Sequence, residues 1–197
     1  VKKLNDIQIG GCSLTELANK YGTPLYILCE QTIRKNCKQF TKTLSETYPN
    51  FCIAYACKAN LSIGLANILA SESCGADVVS GGELLKALRA GIKPKKIVFS
   101  GVGKSEEELK IAINKKILLI NCESESEAKL INALAKKLRK KVSIGFRLNP
   151  NVDAKTHKNI STGKADNKFG LSIKNFKSFL KEINKFKNIR LEALSVH

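Results

Sequence analysis

The sequence predicts an α/β fold of repeated strand–helix units, and within that class a (β/α) barrel. Short apolar runs alternate with longer helical patterns along most of the 197 residues, which is typical of parallel strands joined by helical crossovers. A dinucleotide-binding sheet would need a Gly-x-Gly-x-x-Gly turn, and the chain has none. In the clearest strands a bulky apolar face lies opposite a small or polar one, as expected where helices cover the outside of a barrel.

Six barrel strands are predicted, each from a short apolar run. The alternation is clearest from Val142, where Val, Ile, Phe and Leu occupy one face and Ser, Gly, Arg and Asn the other. The strand from Leu191 follows this division in its C-terminal half. A further apolar run, Leu25–Leu28, predicts a strand outside the barrel. In chain order the six barrel strands begin at Phe51, Ala76, Ile97, Ile117, Val142 and Leu191.

Apolar residues at helical spacing predict one helix before the first barrel strand and one after each of the first five. Two of these helices begin with a serine that is followed three residues later by a glutamate, which is the spacing of a capping box. The pairs are Ser105 with Glu108 and Ser124 with Glu127. The predicted helices cover residues 31–48, 61–73, 83–90, 106–114, 125–139 and 175–186.

Three polar side chains fall at or near the C-terminal ends of predicted strands, on the small-residue face: Lys58, Arg147 and His197. A barrel carries its chemistry at this end. Lys58 lies among small residues, where loss of hydration favours a neutral amine that attacks aldehydes. A solvated lysine at a strand end is the alternative interpretation, and the spacing alone leaves both open.

Composition argues against several classes of protein. The net charge is +17, but only five of the 34 basic residues are Arg and there is no Trp, so nucleic-acid binding is not favoured. Gly101–Ser105 is similar to the end of a phosphate-binding loop, but Val98 stands where that pattern needs glycine. Seven cysteines without a Cys-x-x-Cys pair, together with two histidines, predict no metal site. Free thiols without an export signal or a long apolar run predict a cytoplasmic protein with no membrane segment.

The segment Tyr55–Asn60, Tyr-Ala-Cys-Lys-Ala-Asn, resembles the Schiff-base lysine motif of the alanine-racemase-like barrels that bind pyridoxal 5′-phosphate. Gly75–Glu83 and Arg147–Pro150 are similar to further motifs of this family, and the final Ser-Val-His resembles the start of its His-x-Gly-Ser. His157–Gly163, followed by Lys168–Gly170, is similar to diaminopimelate decarboxylases. Ornithine decarboxylase-like relatives keep the Lys-Phe-Gly alone. The sequence therefore resembles the N-terminal portion of the diaminopimelate decarboxylase family.

This resemblance implies a pyridoxal phosphate-binding (β/α)8 TIM-type barrel that is incomplete here, with about six of its eight strands in residues 31–197. Residues 1–30 would belong to a second, β-rich domain, and the C-terminal part of the enzyme would be absent. The resemblance also implies pyridoxal 5′-phosphate held as a Schiff base on Lys58, the catalytic residue. The other cofactor-binding residues that it implies are His197, which would stack on the pyridine ring, Asp77, Arg147 and Ala56.

The activity implied is decarboxylation of meso-2,6-diaminopimelate to L-lysine and CO2, the last step of lysine biosynthesis, by a homodimer whose subunits share each active site. The alternatives are decarboxylation of ornithine or D-lysine, a non-catalytic cofactor-binding barrel that serves homeostasis, and a fragment that merely folds. In the family, the glycine-rich phosphate-binding segment and the acidic residue that pairs the pyridine nitrogen lie beyond the position of His197, so the isolated chain is expected to be inactive. The specificity residues also lie beyond His197, so the substrate is given by the resemblance alone. The connection over residues 151–168 is expected to be functional, because loops longer than about 12–15 residues usually are.

Overall fold

The computed structural model describes residues 6–152 and 169–197. The predicted motif over residues 157–163 and Lys168 lie outside these ranges. Within them, strands and helices alternate as the sequence predicts, and no helix is long and apolar enough to cross a membrane.

The strands of residues 6–30 lie elsewhere than predicted. Their described strands are a short antiparallel pair, β1 (Gln8–Ile9) and β2 (Cys12–Ser13), which precedes helix α1 (Leu14–Tyr21). The predicted strand at Leu25–Leu28 is wrong, because these residues form no regular structure and the Tyr26 side chain is 99% exposed. A strand needs a neighbour for its ladder hydrogen bonds, and no described strand pairs with this run. The assignment of residues 1–30 to a second domain stays a prediction.

The six predicted barrel strands are confirmed, and neighbouring strands are parallel throughout. Among the described strands, the first barrel strand pairs only with the second barrel strand, and the last barrel strand pairs only with the one from Val142. The sheet therefore has two open edges, as an incomplete barrel must. The strands are β3 (Ala54–Ala56), β4 (Gly75–Val78), β5 (Ile97–Phe99), β6 (Leu119–Cys122), β7 (Val142–Asn149), a two-residue β8 (Leu171–Ser172) beside the end of β7, and β9 (Ile189–Ser195).

The predicted helices are also confirmed, with ends that differ from the prediction by a few residues. One of them lies directly before β3, after α1, and one lies between each barrel strand and the next. This alternation is the reason that the strands are parallel, because each helix carries the chain back to the start of the sheet. The helices are α2 (Glu30–Ser45), α3 (Ile63–Ser71), α4 (Gly81–Arg89), α5 (Glu106–Lys115), α6 (Glu125–Lys137) and α7 (Ile173–Ile183).

The hydrophobic core lies between the bulky faces of the strands and the helices, as the face pattern predicts. Ile144 and Phe146 on β7 are fully buried. The Phe146 ring lies 5.6 Å from that of Phe176 and 5.5 Å from that of Phe179, both on α7. Each large apolar side chain buried in this way contributes about 1.5–3 kcal/mol. The small and polar face of the same strands is left for a cavity on the other side.

A β-bulge in β9 changes which of its side chains face the helices. Ile144 pairs with Leu191, but Gly145 pairs with Ala193, so Glu192 is one residue too many for the ladder. The prediction that Leu191 shares a face with Ala193 and Ser195 is therefore wrong, because the bulge reverses the alternation. Leu191 packs against the core, whereas the C-terminal half of β9 follows the prediction.

The capping box predicted at α5 is confirmed. Ser105 Oγ accepts a hydrogen bond from the Glu108 N–H, and the Glu108 carboxylate accepts one of 2.9 Å from the Ser105 N–H. The other carboxylate oxygen accepts a 2.6 Å bond from the Gly81 N–H, at the start of α4. The bonds from Gly81 and Ser105 lower the pKa of Glu108 below its usual value. One carboxylate thus joins two neighbouring helix starts.

The second predicted capping box, at α6, is only half formed. Ser124 Oγ accepts from the Glu127 N–H as expected. The Glu127 carboxylate, however, accepts a 2.8 Å bond from the N–H of Glu123 and a 2.7 Å bond from the amine of Lys104. The Glu127 carboxylate therefore bonds to a buried lysine and to the Glu123 N–H, in place of the Ser124 N–H that a complete capping box requires.

Burial predicts a large difference in reactivity between the cysteines. Desolvation raises the pKa of Cys57 to about 12 and that of Cys74 to about 12, against an ordinary value of 9.0, and it also raises the pKa of Cys122. A thiolate is the reactive form, so iodoacetamide at pH 8 is expected to label the exposed Cys12 and Cys52 at least about a hundredfold faster than these three. Peptide mapping of the alkylated chain measures this, with labelling in urea as the control. Equal labelling of Cys57 and Cys12 in the folded chain would contradict the core described above.

Candidate active site

A cavity of about 600 Å3 lies at the C-terminal ends of the parallel strands. Its size is within the range of small-molecule sites. Four of the five predicted site residues line it: Lys58, Asp77, Arg147 and His197. Glu123 also lines the cavity. The basic side chains of Lys58 and Arg147 are therefore matched by the acidic side chains of Asp77 and Glu123, and the formal charges of these four residues balance. The strand ends thus bring Lys58, Arg147 and His197 to one cavity, beside the Asp77 that the resemblance implies, and the roles of these residues stay predictions.

Lys58 reaches the cavity from a turn rather than from a strand. Strand β3 ends at Ala56, and Cys57–Ala59 form a single 3-10 turn. The Cys57 side chain is buried in the core, which fixes the turn with Lys58 at the cavity. Lys58 itself is exposed. The expectation that it loses hydration is therefore wrong, because the cavity is open along the edge formed by β3.

Ala56 is not brought to this cavity. It lines an apolar pocket beside Leu65 and Leu69 of α3, a pocket that Ala54 lines as well, and of these two alanines only Ala54 also borders the cavity. A role for Ala56 in binding the cofactor finds no support in its position.

Asp77 belongs to a polar network that the sequence analysis missed in part. Its Oδ1 accepts a 2.6 Å hydrogen bond from Ser100 Oγ, and Ser100 Oγ accepts a 3.3 Å bond from Asn121 Nδ2. Ser100 directly follows β5, and Asn121 lies near the end of β6. Polar residues at the ends of barrel strands are the signal by which Lys58 was chosen. The same signal, applied to β5 and β6, would have found these two.

Arg147 is held by a carboxylate and an aromatic ring. Its guanidinium lies 3.4 Å from Glu123 Oε1 and 4.8 Å from the centre of the Phe169 ring. The other oxygen of Glu123 accepts a 2.9 Å hydrogen bond from the Gly170 N–H. Phe169 and Gly170 are the described part of the Lys-Phe-Gly motif, so this motif meets the cavity wall at Arg147. The sequence alone does not single out Glu123, although this residue directly follows β6.

Two buried polar atoms in the cavity wall have no hydrogen-bond partner within the described structure, Asn121 Oδ1 and Ser195 Oγ. An unpaired buried polar atom costs about 1–3 kcal/mol, so such atoms are rare unless something else pairs with them. Both atoms are suited to hydrogen bonds with the polar groups of a small organic molecule. The cavity thus combines the exposed amine of Lys58 with two wall atoms that have no hydrogen-bond partner among the described residues.

By these features the chain is a (β/α)-barrel domain built to bind a small molecule at the carboxyl ends of its strands. Residues 30–197 match the family model described as pyridoxal-dependent decarboxylase, pyridoxal binding domain, and the chain belongs to this family. The Lys58 motif and the other motifs compared above lie within this range.

Similar proteins agree with this assignment. The chain is 41% identical to diaminopimelate decarboxylase of Aquifex aeolicus over 98% of its own length and 45% of the relative's. It is 44% identical to that of Vibrio cholerae, over 93% and 44% of the two chains. The crystal structure of diaminopimelate decarboxylase from Methanocaldococcus jannaschii, of which a complex with L-lysine is also known, superposes with a TM-score of 0.87 at 40% identity, covering 99% of this chain and 46% of that one. The chain therefore spans about half the length of the relatives it matches.

Proposed function

We propose that this chain forms the cofactor-binding part of an enzyme that decarboxylates meso-2,6-diaminopimelate to L-lysine and CO2. The observation that carries the proposal is the position of Lys58 at a cavity whose wall also contains Asp77, Arg147 and His197. Membership of the pyridoxal-dependent decarboxylases supports the cofactor, and the similarity to diaminopimelate decarboxylases supports the substrate.

Pyridoxal 5′-phosphate fits the groups that line the cavity. Lys58 provides the primary amine for covalent attachment, since a neutral amine adds to an aldehyde carbon. The imidazole of His197 provides a flat surface for an aromatic ring, and Asn121 Oδ1 and Ser195 Oγ offer unused polar atoms. When bound, this cofactor supplies an electron sink for the electron pair left as CO2 departs.

The other residues of the cavity orient and balance charge. Ser100 holds one oxygen of Asp77, and Glu123 and Phe169 hold Arg147. When its amine is not bound to the cofactor, Lys58 would lie at the cavity, where it could accept or return a proton. The protein thus supplies a covalent anchor, a fixed cation and a mobile base within one cavity.

We also infer a homodimer that shares each active site, acting in the cytoplasm. The resemblance to a family whose subunits share each active site motivates the dimer. The seven cysteines are free thiols, as suits a reducing compartment. This chain joined to the C-terminal portion of the Aquifex aeolicus relative is expected to sediment as a dimer, and a fully active monomer would contradict this.

A chimera tests the proposed reaction. Residues 1–197 replace the matching portion of the Aquifex aeolicus relative, and release of CO2 from meso-diaminopimelate is measured. The chimera is expected to turn over at about 1–10³ per second, as ordinary enzymes do. The 197 residues by themselves are expected to show no measurable turnover, because the cavity wall between β3 and β9 is open.

Two further substrates and one variant of the chimera show whether the activity belongs to diaminopimelate and to this cavity. Ornithine and D-lysine are assayed alongside, and the chimera with Lys58→Ala is the control for this cavity. Faster release of CO2 from ornithine or D-lysine than from meso-diaminopimelate would show that the proposed substrate is wrong. An inactive chimera that nevertheless binds pyridoxal phosphate at Lys58 would favour a non-catalytic cofactor-binding role.

A further inference from the structure

We infer that Glu123 is a positioning residue whose carboxylate holds Arg147 in the cavity wall and joins it to Phe169 and Gly170. Glu123 follows β6, whereas Arg147 lies on β7 and Gly170 precedes β8. The carboxylate therefore connects three consecutive parts of the barrel rim. The effect of this carboxylate on cofactor binding rests on the proposed function.

Both oxygens of the Glu123 carboxylate are occupied. Oε1 lies 3.4 Å from a guanidinium nitrogen of Arg147, and Oε2 accepts the 2.9 Å bond from the Gly170 N–H. The Glu123 residue is only 9% exposed. A carboxylate buried to this extent is stable only when it is paired and hydrogen-bonded. Because both oxygens already have partners, we assign Glu123 to holding its neighbours rather than to proton transfer.

Arg147 is confined on further sides by the segment that begins at Phe169. The Phe169 ring faces the guanidinium at 4.8 Å, a favourable cation–π distance. Gly170 has a φ of +77°, and a Cβ atom there would lie 2.7 Å from the Arg147 carbonyl oxygen. The backbone at Gly170 therefore lies directly against that of Arg147, in a place where a side chain does not fit.

The backbone of Glu123 is fixed from behind. Glu127 accepts the 2.8 Å bond from the Glu123 N–H with one oxygen, and the 2.7 Å bond from Lys104 with the other. Lys104 also donates to the carbonyl oxygens of Asn121, at 2.7 Å, and Gly101, at 2.6 Å. The backbone that carries the Glu123 side chain is thus fixed by hydrogen bonds, and a fixed carboxylate can hold the guanidinium of Arg147 in one position.

The test measures the chemical reactivity of Arg147 in the 197-residue chain. Phenylglyoxal modifies free guanidinium groups, and peptide mapping gives a rate for each of the five arginines. Arg147 is expected to react at least about fivefold more slowly than the exposed Arg139, and Glu123→Gln is expected to raise its rate about fivefold. Glutamine keeps the size and can still accept from Gly170, so the change removes mainly the charge. Glu125→Gln, on the adjacent helix, is the matched control and should change no rate.

A second variant guards against an effect of misfolding. Phe169→Leu leaves the carboxylate intact and removes the ring, and it is expected to raise the Arg147 rate by a smaller factor, about twofold. Thermal unfolding of each variant is recorded alongside. An unchanged Arg147 rate in Glu123→Gln would overturn the inference, and so would equal acceleration at all five arginines, which indicates general loosening.

Cofactor capture separates this inference from the proposed function. Wild type and Glu123→Gln are incubated with graded pyridoxal phosphate, reduced with borohydride and mapped at Lys58. The variant is expected to need about tenfold more cofactor for half-labelling, which corresponds to a loss of about 1.4 kcal/mol. Equal labelling despite a freed Arg147 would overturn the positioning role in binding. If wild type fails to label at Lys58, the proposed function fails, while the Arg147 rates still decide the role of Glu123.

Discussion

Replacing Lys58 by alanine is expected to abolish covalent capture of pyridoxal 5′-phosphate by the cavity. In the wild-type chain, borohydride reduction should leave a phosphopyridoxyl group on the peptide that contains Lys58. No other lysine among the described residues lines the cavity, so labelling of the alanine variant should fall to the background of surface lysines. The expected loss is at least about tenfold, since the reaction requires an amine at the aldehyde. Mass spectrometry of the reduced peptides measures it.

A lysine remote from the cavity provides the control. Lys116→Ala removes an exposed amine at the opposite ends of the strands and should leave labelling of Lys58 unchanged. A main adduct on Lys104, or equal adducts on many lysines, would mean that the active site has been placed wrongly.

Replacing Lys104 by methionine is expected to destabilise the chain by about 3–5 kcal/mol, the usual result of breaking one side of a buried ion pair. The Lys104 side chain is fully buried, and its amine bonds to Glu127 and two backbone carbonyls. Methionine fills a similar volume but satisfies none of these groups. At about 2–4 °C per kcal/mol for a chain of this size, the midpoint of thermal unfolding should fall by about 6–20 °C. Circular dichroism during heating and urea unfolding both measure the change.

Two further variants distinguish loss of the ion pair from loss of packing. Lys104→Met combined with Glu127→Leu removes both charges and should recover more than about 1 kcal/mol of the loss. Lys110→Met, which removes a partner of Glu106 on the exposed side of α5, should cost less than about 1 kcal/mol. If Lys104→Met costs no more than Lys110→Met, the buried network does not stabilise the fold.

The fold was largely predictable because local periodicity determines it. Each barrel strand is a short apolar run and each crossover a helical one, and the right order of elements follows from their order in the chain. The placement of Lys58, Asp77, Arg147 and His197 in one cavity was predictable for a related reason. The carboxyl ends of parallel strands meet at one end of a barrel, so residues far apart in sequence come together without any knowledge of their contacts.

The features that could not be predicted depend on pairing between distant residues. Lys104 looks in sequence like part of an imperfect phosphate-binding loop, and only the fold shows that its amine reaches Glu127. Glu123 gains its importance from Arg147 and Gly170, which follow it by 24 and 47 residues. Periodicity contains no information about such contacts.

The bulge at Glu192 also marks the place where this strand can change its length in evolution. Insertions and deletions are usually confined to loops, because shifting a strand by one residue turns its side chains to the opposite face. At the bulge this cost does not arise. Without Glu192, Leu191 would still lie opposite Ile144 and Ser195 opposite Arg147, in a regular ladder that keeps both side chains on their present faces. Related sequences with and without this residue can therefore present the same group to the cavity.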